Sequence, residues 1–455
     1  MEQSLYTRDL RSIFTEYYSQ LSALESYVES IEELLLERHK KRQSEHDEDL
    51  EIQEEIIRQL LSKTIEDLNE NMNNEVAATL DKGEDLEGIL SRLKETEEKF
   101  GKNNTSINAD IDFGESENSL SIKFHDIETK KRFDNYFSSL DEVRDHTTLL
   151  YRSSLITLAV TFELLINNML HYRADKYPNS INIDKRSLTF SEIERIGSFE
   201  EAKNYIVEQY VTEIMRQSNE QWLAHIKTNF KITLDKEIEH YERTINEVYN
   251  RRNLVVHGGE IVNTIYLANV EEEFRKGLKK GDKIKIDKDY ILSSIETFKV
   301  YGLSLMYLYW MSMEKNNEDR AKLGQKYAFE MLEKQQYLSA RQLYKTILKD
   351  TLSQELNYLI RINYWQTFKW QGDFHEIESD VKSIDFSASK PIYQMCKNLL
   401  LDKKQEAIES LKEVLLSGEW SLIELLDWPI IQPLYTQSQF TEILEREGIT
   451  IDTED

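Results

Sequence analysis

Four prolines and fourteen glycines among 455 residues leave little in this chain to interrupt a helix. Proline removes a backbone donor and glycine loosens the chain, so their scarcity favours long, unbroken helical stretches. Glu, Lys, Leu and Gln are abundant and are good helix formers, so the expected fold is mainly α. The length exceeds what one hydrophobic core organises, and at about 100–200 residues per domain it predicts two to four domains. A hydrophobic content of 40% is enough for packed cores. The single cysteine, Cys396, excludes an intrachain disulfide framework and a cysteine-rich zinc site, and it fits a reducing compartment. The opening MEQSLYTRDLRSIF lacks a basic-then-apolar leader. The most apolar run, VYGLSLMYLYWM at 300–311, is too short to cross a bilayer and predicts a buried core helix. The expectation is a soluble, cytoplasmic protein with no membrane partner.

The pattern divides the chain into four parts. Residues 1–104 begin with Phe14, Tyr17, Leu21, Leu24, Val28, Ile31 and Leu35, spaced alternately by three and four. That is the seam of a helical hairpin or coiled coil. A second helix is expected over about 48–75, with Ile52, Ile56, Leu60, Ile65 and Leu68. The two either zip together as an antiparallel hairpin or pair with a second copy. Residues 105–128 change period: Ile107, Ala109, Ile111 and Phe113 alternate, as do Leu120, Ile122 and Phe124, around the turn-rich Gly114–Ser119. A small β-hairpin is predicted there. Residues 129–315 read as a helical domain. Its expected helices cover about 130–175 (ending near Tyr177-Pro178), 198–229, 234–257 and 288–314, with a turn and short alternating strand at 279–286. Residues 316–455 read as successive helical pairs with turns near Gln336, Gly372 and Asp402, an α-solenoid-like arrangement that resembles tetratricopeptide repeats. Trp310, Trp365, Trp370 and Trp428 are expected in cores.

Net charge is −27, which argues against a surface that grips nucleic acid throughout. The charge is uneven. Residues 1–128 carry 14 Lys+Arg against 32 Asp+Glu, a net −18; residues 129–315 carry 27 against 28; residues 316–455 carry 16 against 24. A polyanion is least repelled by the middle part. No phosphate-binding glycine loop, nucleophile elbow, zinc-ligand spacing or paired-carboxylate signature occurs.

The middle part contains YNRRNLVVHGGEIVNTIYL at 249–267. Helical periodicity enters it from Leu234, and Gly258-Gly259 should stop the helix straight after His257. Asn253 and His257, four apart, share a helix face. Arg252 and His257, five apart, stand about 140° from one another around a straight helix. Either the last turn loosens, or the arginine reaches round, or a second subunit completes the site. A bland reading is also open: His257 as a helix-end residue favoured by the dipole, and Arg252 paired with Glu247 or Glu242. His171 and His240 read as ordinary helix residues. The cluster Arg275, Lys276, Lys279, Lys280, Lys283 and Lys285 is either a solvated loop or a guide for RNA, with Lys279, Lys280 and Lys283 the candidates.

Arg252, Asn253 and His257 resemble the motif of the HEPN (higher eukaryotes and prokaryotes nucleotide-binding) ribonucleases, an arginine, a polar residue and a histidine four to six positions after the arginine. Arg251, the continuation GGEIVNTIYL, and the helix LITLAVTFELLINNMLHYR with its Phe162-Glu163 pair are similar to the larger, defence-associated members. The likeness covers about 130–315. It implies a central HEPN helical bundle that cleaves RNA with the substrate's own 2′-hydroxyl, without metal or other cofactor. Such chemistry suits a histidine that titrates near neutrality and an arginine that braces developing phosphate charge. Asn253 would hold the histidine or bind phosphate, with Arg251 and Glu163 in support. It further implies a homodimer that joins two motifs in one cleft, and an effector or toxin of bacterial antiviral defence. A regulatory protein would then act through the acidic N-terminal helices or the C-terminal repeats. The competing expectation is a catalytically inactive HEPN-fold adaptor.

Overall fold

The computed structural model describes residues 8–44, 109–113, 120–124, 127–181, 186–275 and 277–449. Its described part is mainly helical. The helix expected over 48–75, the turn at 114–119 and Lys276 lie outside the described residues. In chain order the helices are α1 (Leu10–Ser44), α2 (Ile127–Lys176), α3 (Phe190–Ile196), α4 (Phe199–Met215), α5 (Asn219–Phe230), α6 (Lys236–Glu239), α7 (Tyr241–His257) and α8 (Thr264–Asn269). They continue with α9 (Lys288–Met313), α10 (Glu318–Glu333), α11 (Tyr337–Ile347), α12 (Gln354–Gln371), α13 (Glu378–Ser383), α14 (Pro391–Leu400), α15 (Lys404–Ser417), α16 (Leu422–Leu426) and α17 (Ser438–Glu447). Two strands, β1 (Ala109–Phe113) and β2 (Leu120–Phe124), pair antiparallel, Ala109 opposite Phe124 and Phe113 opposite Leu120.

The backbone forms two compact units, 27–151 and a larger one comprising 1–26 with 152–455. The smaller holds the C-terminal part of α1, both strands and the N-terminal part of α2. The larger is organised around α9, which is buried on every side, from Ile291 through Phe298, Tyr301, Leu305 and Tyr309 to Met313. A helix apolar all round belongs in the middle of a core, and this one carries the run at 300–311. Helices α6, α7, α10 and α11 all pack on α9. The stretch expected as one helix over 198–229 breaks at Arg216–Ser218, where Ser218 caps α5 and exchanges hydrogen bonds with Gln221. The stretch over 234–257 breaks at His240, between α6 and α7.

Three expectations need correction. The seam of α1 does not serve a separate N-terminal hairpin or a coiled-coil dimer in its first half, because residues 10–26 belong to the larger unit. Phe14 sits edge-on to Tyr307 and Trp310, Tyr18 stacks on Tyr327 with centroids 4.1 Å apart, and the Tyr17 hydroxyl donates to the Phe298 carbonyl at 2.8 Å. A three–four spacing serves any long apolar groove as well as a partner helix, and here the groove is aromatic. The boundary drawn at 315/316 likewise separates nothing compact, since both sides lie in one unit and α11 packs on α9. The turns at Gln336, Gly372 and Asp402 fall where the sequence put them. Gly372 and Asp402 take left-handed backbone, and Gln336 follows Gln335 in the same conformation. The segment at 279–286 forms no strand: Lys283 makes an isolated bridge to Ile261. Trp310, Trp365 and Trp428 are buried, whereas Trp370 is only half-buried. Among the described residues one helical stretch, Arg144–Lys176, is long and apolar enough to cross a membrane, and 56% of its most apolar window is packed inside the protein.

The approach of α1 to α9 depends on Gly302. A Cβ at that position would fall on the ring and hydroxyl of Tyr17. Gly302→Ala should therefore expel Tyr17 and cost about 1–3 kcal/mol as an overpacked core, read as a lowered urea midpoint of the full chain.

Candidate functional site

Helix α7 positions the motif. It stays helical to its last residue, His257, and Gly258 caps it by donating to the Leu254 carbonyl at 2.8 Å. The Glu260 amide reaches the same carbonyl at 3.1 Å. Gly259 (φ +59°) and Glu260 (φ +69°) then turn the chain through left-handed backbone, which costs a non-glycine residue about 1–3 kcal/mol. Glu260 is held there by an ion pair with Arg152 of α2, by Lys283 at 3.5 Å and by the Ile284 amide on its carbonyl at 2.9 Å. Burial would raise its carboxyl pKa, but Arg152 and Lys283 hold it below the usual value. The loop after His257 is thus anchored at both ends.

Arg251 and Arg252 have opposite fates. Arg251 is buried, donating from Nε to Glu247 Oε1 at 2.7 Å and from Nη1 to the Lys285 carbonyl at 2.8 Å. Glu247 also accepts the hydroxyls of Tyr266 (α8) and Tyr290 (α9), each at 2.7 Å, and the Arg251 guanidinium lies 4.1 Å from the Tyr290 ring centre. Burial first and the Glu247 carboxylate second push both phenols up, so they remain donors. Glu247, with Arg251 as its counter-charge, thus locks α7 to α8 and α9. Neither acidic partner expected for Arg252 serves it: Glu247 is taken by Arg251, and Glu242 pairs with Lys227 at 2.7 Å.

Arg252 instead lines a polar cleft of about 770 Å³ between α2, α5, α7 and α8. With it come Asn253, Asn246 and Asn250 of α7, Glu163 of α2, Asn269 of α8, and Ser218 through Trp222 at the start of α5. Tyr249 closes the back, its hydroxyl donating to the Ala159 carbonyl at 3.1 Å and its ring edge-on to Trp222. Arg252 Nη1 donates to Asn253 Oδ1 at 3.3 Å. The other amides bond to one another: Asn250 to Asn246 at 3.0 Å, Asn269 to Asn250 at 3.3 Å. Three buried donors on these lining residues have no hydrogen-bond partner in the protein: Arg252 Nε, Asn219 Nδ2 and Trp222 Nε1. Each such group costs about 1–3 kcal/mol, and all three atoms are sealed from solvent within the walls of the cleft. Glu163 is half-buried, and burial raises its carboxyl above the usual value while the Arg252 charge pulls it partly back.

Of the sequence candidates, Arg252, Asn253 and Glu163 come together at this cleft. His257 is exposed at the helix end and does not line it. Lys279, Lys280 and Lys283 lie outside it too, on the turn that bridges Ile261. Arg275 is occupied with the Val270 and Leu267 carbonyls, and Lys285 with Asp287 at 2.9 Å. Sequence reasoning passed over Asn219, Trp222 and the asparagine stripe. The signal was present, because Asn246, Asn250 and Asn253 stand four and three apart on one helix face. Among the described residues no group of three or more His, Cys, Asp or Glu side chains could hold a metal ion.

Two outcomes test this geometry. Glu247→Ala leaves Arg251 buried without its counter-charge and should cost about 3–5 kcal/mol in urea unfolding. The raised pKa of Glu163 stabilises the fold only at low pH, and that contribution is lost as pH rises through the folded pKa. Glu163→Gln should therefore raise the melting temperature relative to wild type more at pH 7 than at pH 4. Comparisons of the chain with protein-family models, with curated proteins and with solved structures return no match.

Proposed function

We propose that this chain is a metal-independent endoribonuclease of the HEPN type. The observation that carries the reading is that one rigid helix, α7, offers Arg252 to an amide-lined cleft and ends in an exposed His257. In the reaction the substrate's 2′-hydroxyl loses its proton to a histidine and its oxygen attacks the adjacent phosphorus. The bond to the 5′-oxygen breaks, and that oxygen takes a proton from a second group. Arg252 braces the phosphate oxygens as charge accumulates. Asn253, bonded to Arg252, orients it.

Two proton transfers need two groups, and the straight helix holds His257 away from the Arg252 cleft of its own chain. A homodimer supplies both needs by facing two copies of α7 across a two-fold axis. Its support is the apolar surface around His257: Val256 is 43% exposed, Ile261 41% and Ile265 69%. Lys279, Lys280 and Lys283, on the turn bridged to the loop after His257, guide RNA toward the joint cleft. Within this reading the helices between 152 and 315 form the HEPN bundle, and the tetratricopeptide-like helical pairs that follow belong to the same compact unit. The cell context is the cytoplasm, as a toxin of antiviral defence restrained by a protein bound to the acidic N-terminal helices or the repeats.

Purified chain should cleave RNA in the presence of EDTA, and His257→Ala and Arg252→Ala should each lose about 10²–10⁴-fold in rate. Ile265→Arg should give a monomer by light scattering and lose cleavage with it. No cleavage by wild-type dimer would favour the inactive adaptor.

A further inference from the structure

The turn that follows His257 places a glutamate where a turn made by backbone alone would use glycine. Gly259 and Glu260 both lie in left-handed backbone, at φ +59° and +69°. Glycine enters that region freely, whereas a residue with a Cβ is strained there. The backbone bonds of the turn need no carboxylate. The Glu260 amide donates to the Leu254 carbonyl at 3.1 Å, its carbonyl accepts from the Ile284 amide at 2.9 Å, and the Ile261 amide donates to the Gly258 carbonyl at 3.1 Å. A third glycine would make every one of them. What glycine cannot supply is the side chain, which is buried and bridges two cations. Arg152 Nε of α2 donates to Glu260 Oε1, and Lys283 Nζ lies 3.5 Å from Oε2.

We propose that Glu260 is a positioning residue, which fixes the end of α7 that carries His257 against α2 and against the turn that carries Lys279, Lys280 and Lys283. The inference rests on the ribonuclease reading for the task of His257; the clamp itself needs no cleavage. Gly258 and Gly259 follow His257 directly, and a glycine pair leaves the chain free to bend. The clamp sits one residue beyond that pair, where it removes the freedom. Its three arms come from separate parts of the fold: Arg152 from α2, Glu260 from the exit of α7, and Lys283 from the turn after α8. The Arg152 side chain is 39% exposed and that of Lys283 67%. An ion pair weakens as water reaches it, so the Arg152 arm carries most of the clamp. The distance from His257 to the lysines bears on how bound RNA meets the histidine, and so on the rate of the chemical step. Backbone strain is retained at Glu260 because its side chain sets that geometry.

The test compares four variants of the full-length chain. Glu260→Gln keeps size and backbone but not charge, Glu260→Gly keeps only the turn, Arg152→Met removes the main arm, and Arg152→Lys keeps a cation there. Hydrogen exchange of peptides spanning residues 254–266, read by mass spectrometry, should speed about tenfold in Glu260→Gln and Arg152→Met. Peptides from α9 should stay as protected as in wild type. Glu260→Gly should exchange as fast as Glu260→Gln although its backbone is unstrained, and Arg152→Lys should restore slow exchange. In cleavage assays with EDTA, the variants that loosen the turn should lower kcat about 10–100-fold while KM stays within about twofold. If wild type does not cleave, the ribonuclease reading fails, and the exchange pattern still decides whether Glu260 holds the turn. Unchanged exchange over 254–266 in Glu260→Gln, or faster exchange spread equally through α9, would overturn the proposal. So would a raised KM with kcat retained.

Discussion

Everything at the candidate site is set by one buried carboxylate. Glu247 accepts Arg251 and two tyrosine hydroxyls from different helices, so a single side chain fixes α7 against α8 and α9. A carboxylate out of water is tolerable only when its lone pairs are filled and its charge is met, and here both conditions hold. Because Arg251 is committed inward, its neighbour Arg252 must emerge about 100° away around the helix, and that direction opens on the cleft. The paired arginines have distinct jobs because α7 cannot turn relative to α9 without breaking this cluster.

The same contrast runs through the larger unit. Lys299 of α9 is 1% exposed and is answered by Glu25 at 2.6 Å and Gln336 at 3.0 Å. Arg320 is equally buried and meets Asp350 at 2.6 Å, with Tyr307 on the same oxygen at 3.0 Å. These are completed networks, and they tie α1, α9, α10 and α11 into one body. The cleft has equally polar walls but leaves Arg252, Asn219 and Trp222 each with an unanswered donor. Partnerless buried polar atoms occur elsewhere too, among them Ser22 Oγ, Arg173 Nε and Gln325 Oε1, so the cleft is distinguished only by having three of them on its lining residues.

Much of the helix count and several helix ends were legible, because the signals are local. Gly258 stopping α7, Gly372 ending α12 and the apolar run of α9 need only near neighbours. The partner of the α1 seam was not legible: Phe14 meets Tyr307, Trp310 and Tyr327 nearly three hundred residues or more away, and periodicity says which face is apolar but never what covers it. The alternating run at 283–286 promised a strand, but a strand needs a partner of similar length, and the loop after His257 supplied one residue. At the site, Arg252, Asn253 and Glu163 were found from their motif context. Trp222 and Asn219 were missed because their meaning lies in having no partner, a property only three dimensions reveal.

The unbroken end of α7 also narrows the three geometric options. A loosened last turn would have shifted the capping amides off the Leu254 carbonyl, yet Gly258 makes the regular contact at 2.8 Å. Arg252 does not reach round either, because its guanidinium is engaged with Asn253 on the cleft side. Under the proposed ribonuclease reading, joint chemistry then calls for a second copy. The ion pairs that hold Glu260 in left-handed backbone gain a purpose under that arrangement. They stiffen the loop that follows His257 and carries Ile261 and Ile265, the apolar surface on which another chain would rest. A site assembled from two rigid halves needs each half to be fixed before they meet, since a floppy His257 would forfeit in ordering entropy what its placement contributes to the rate.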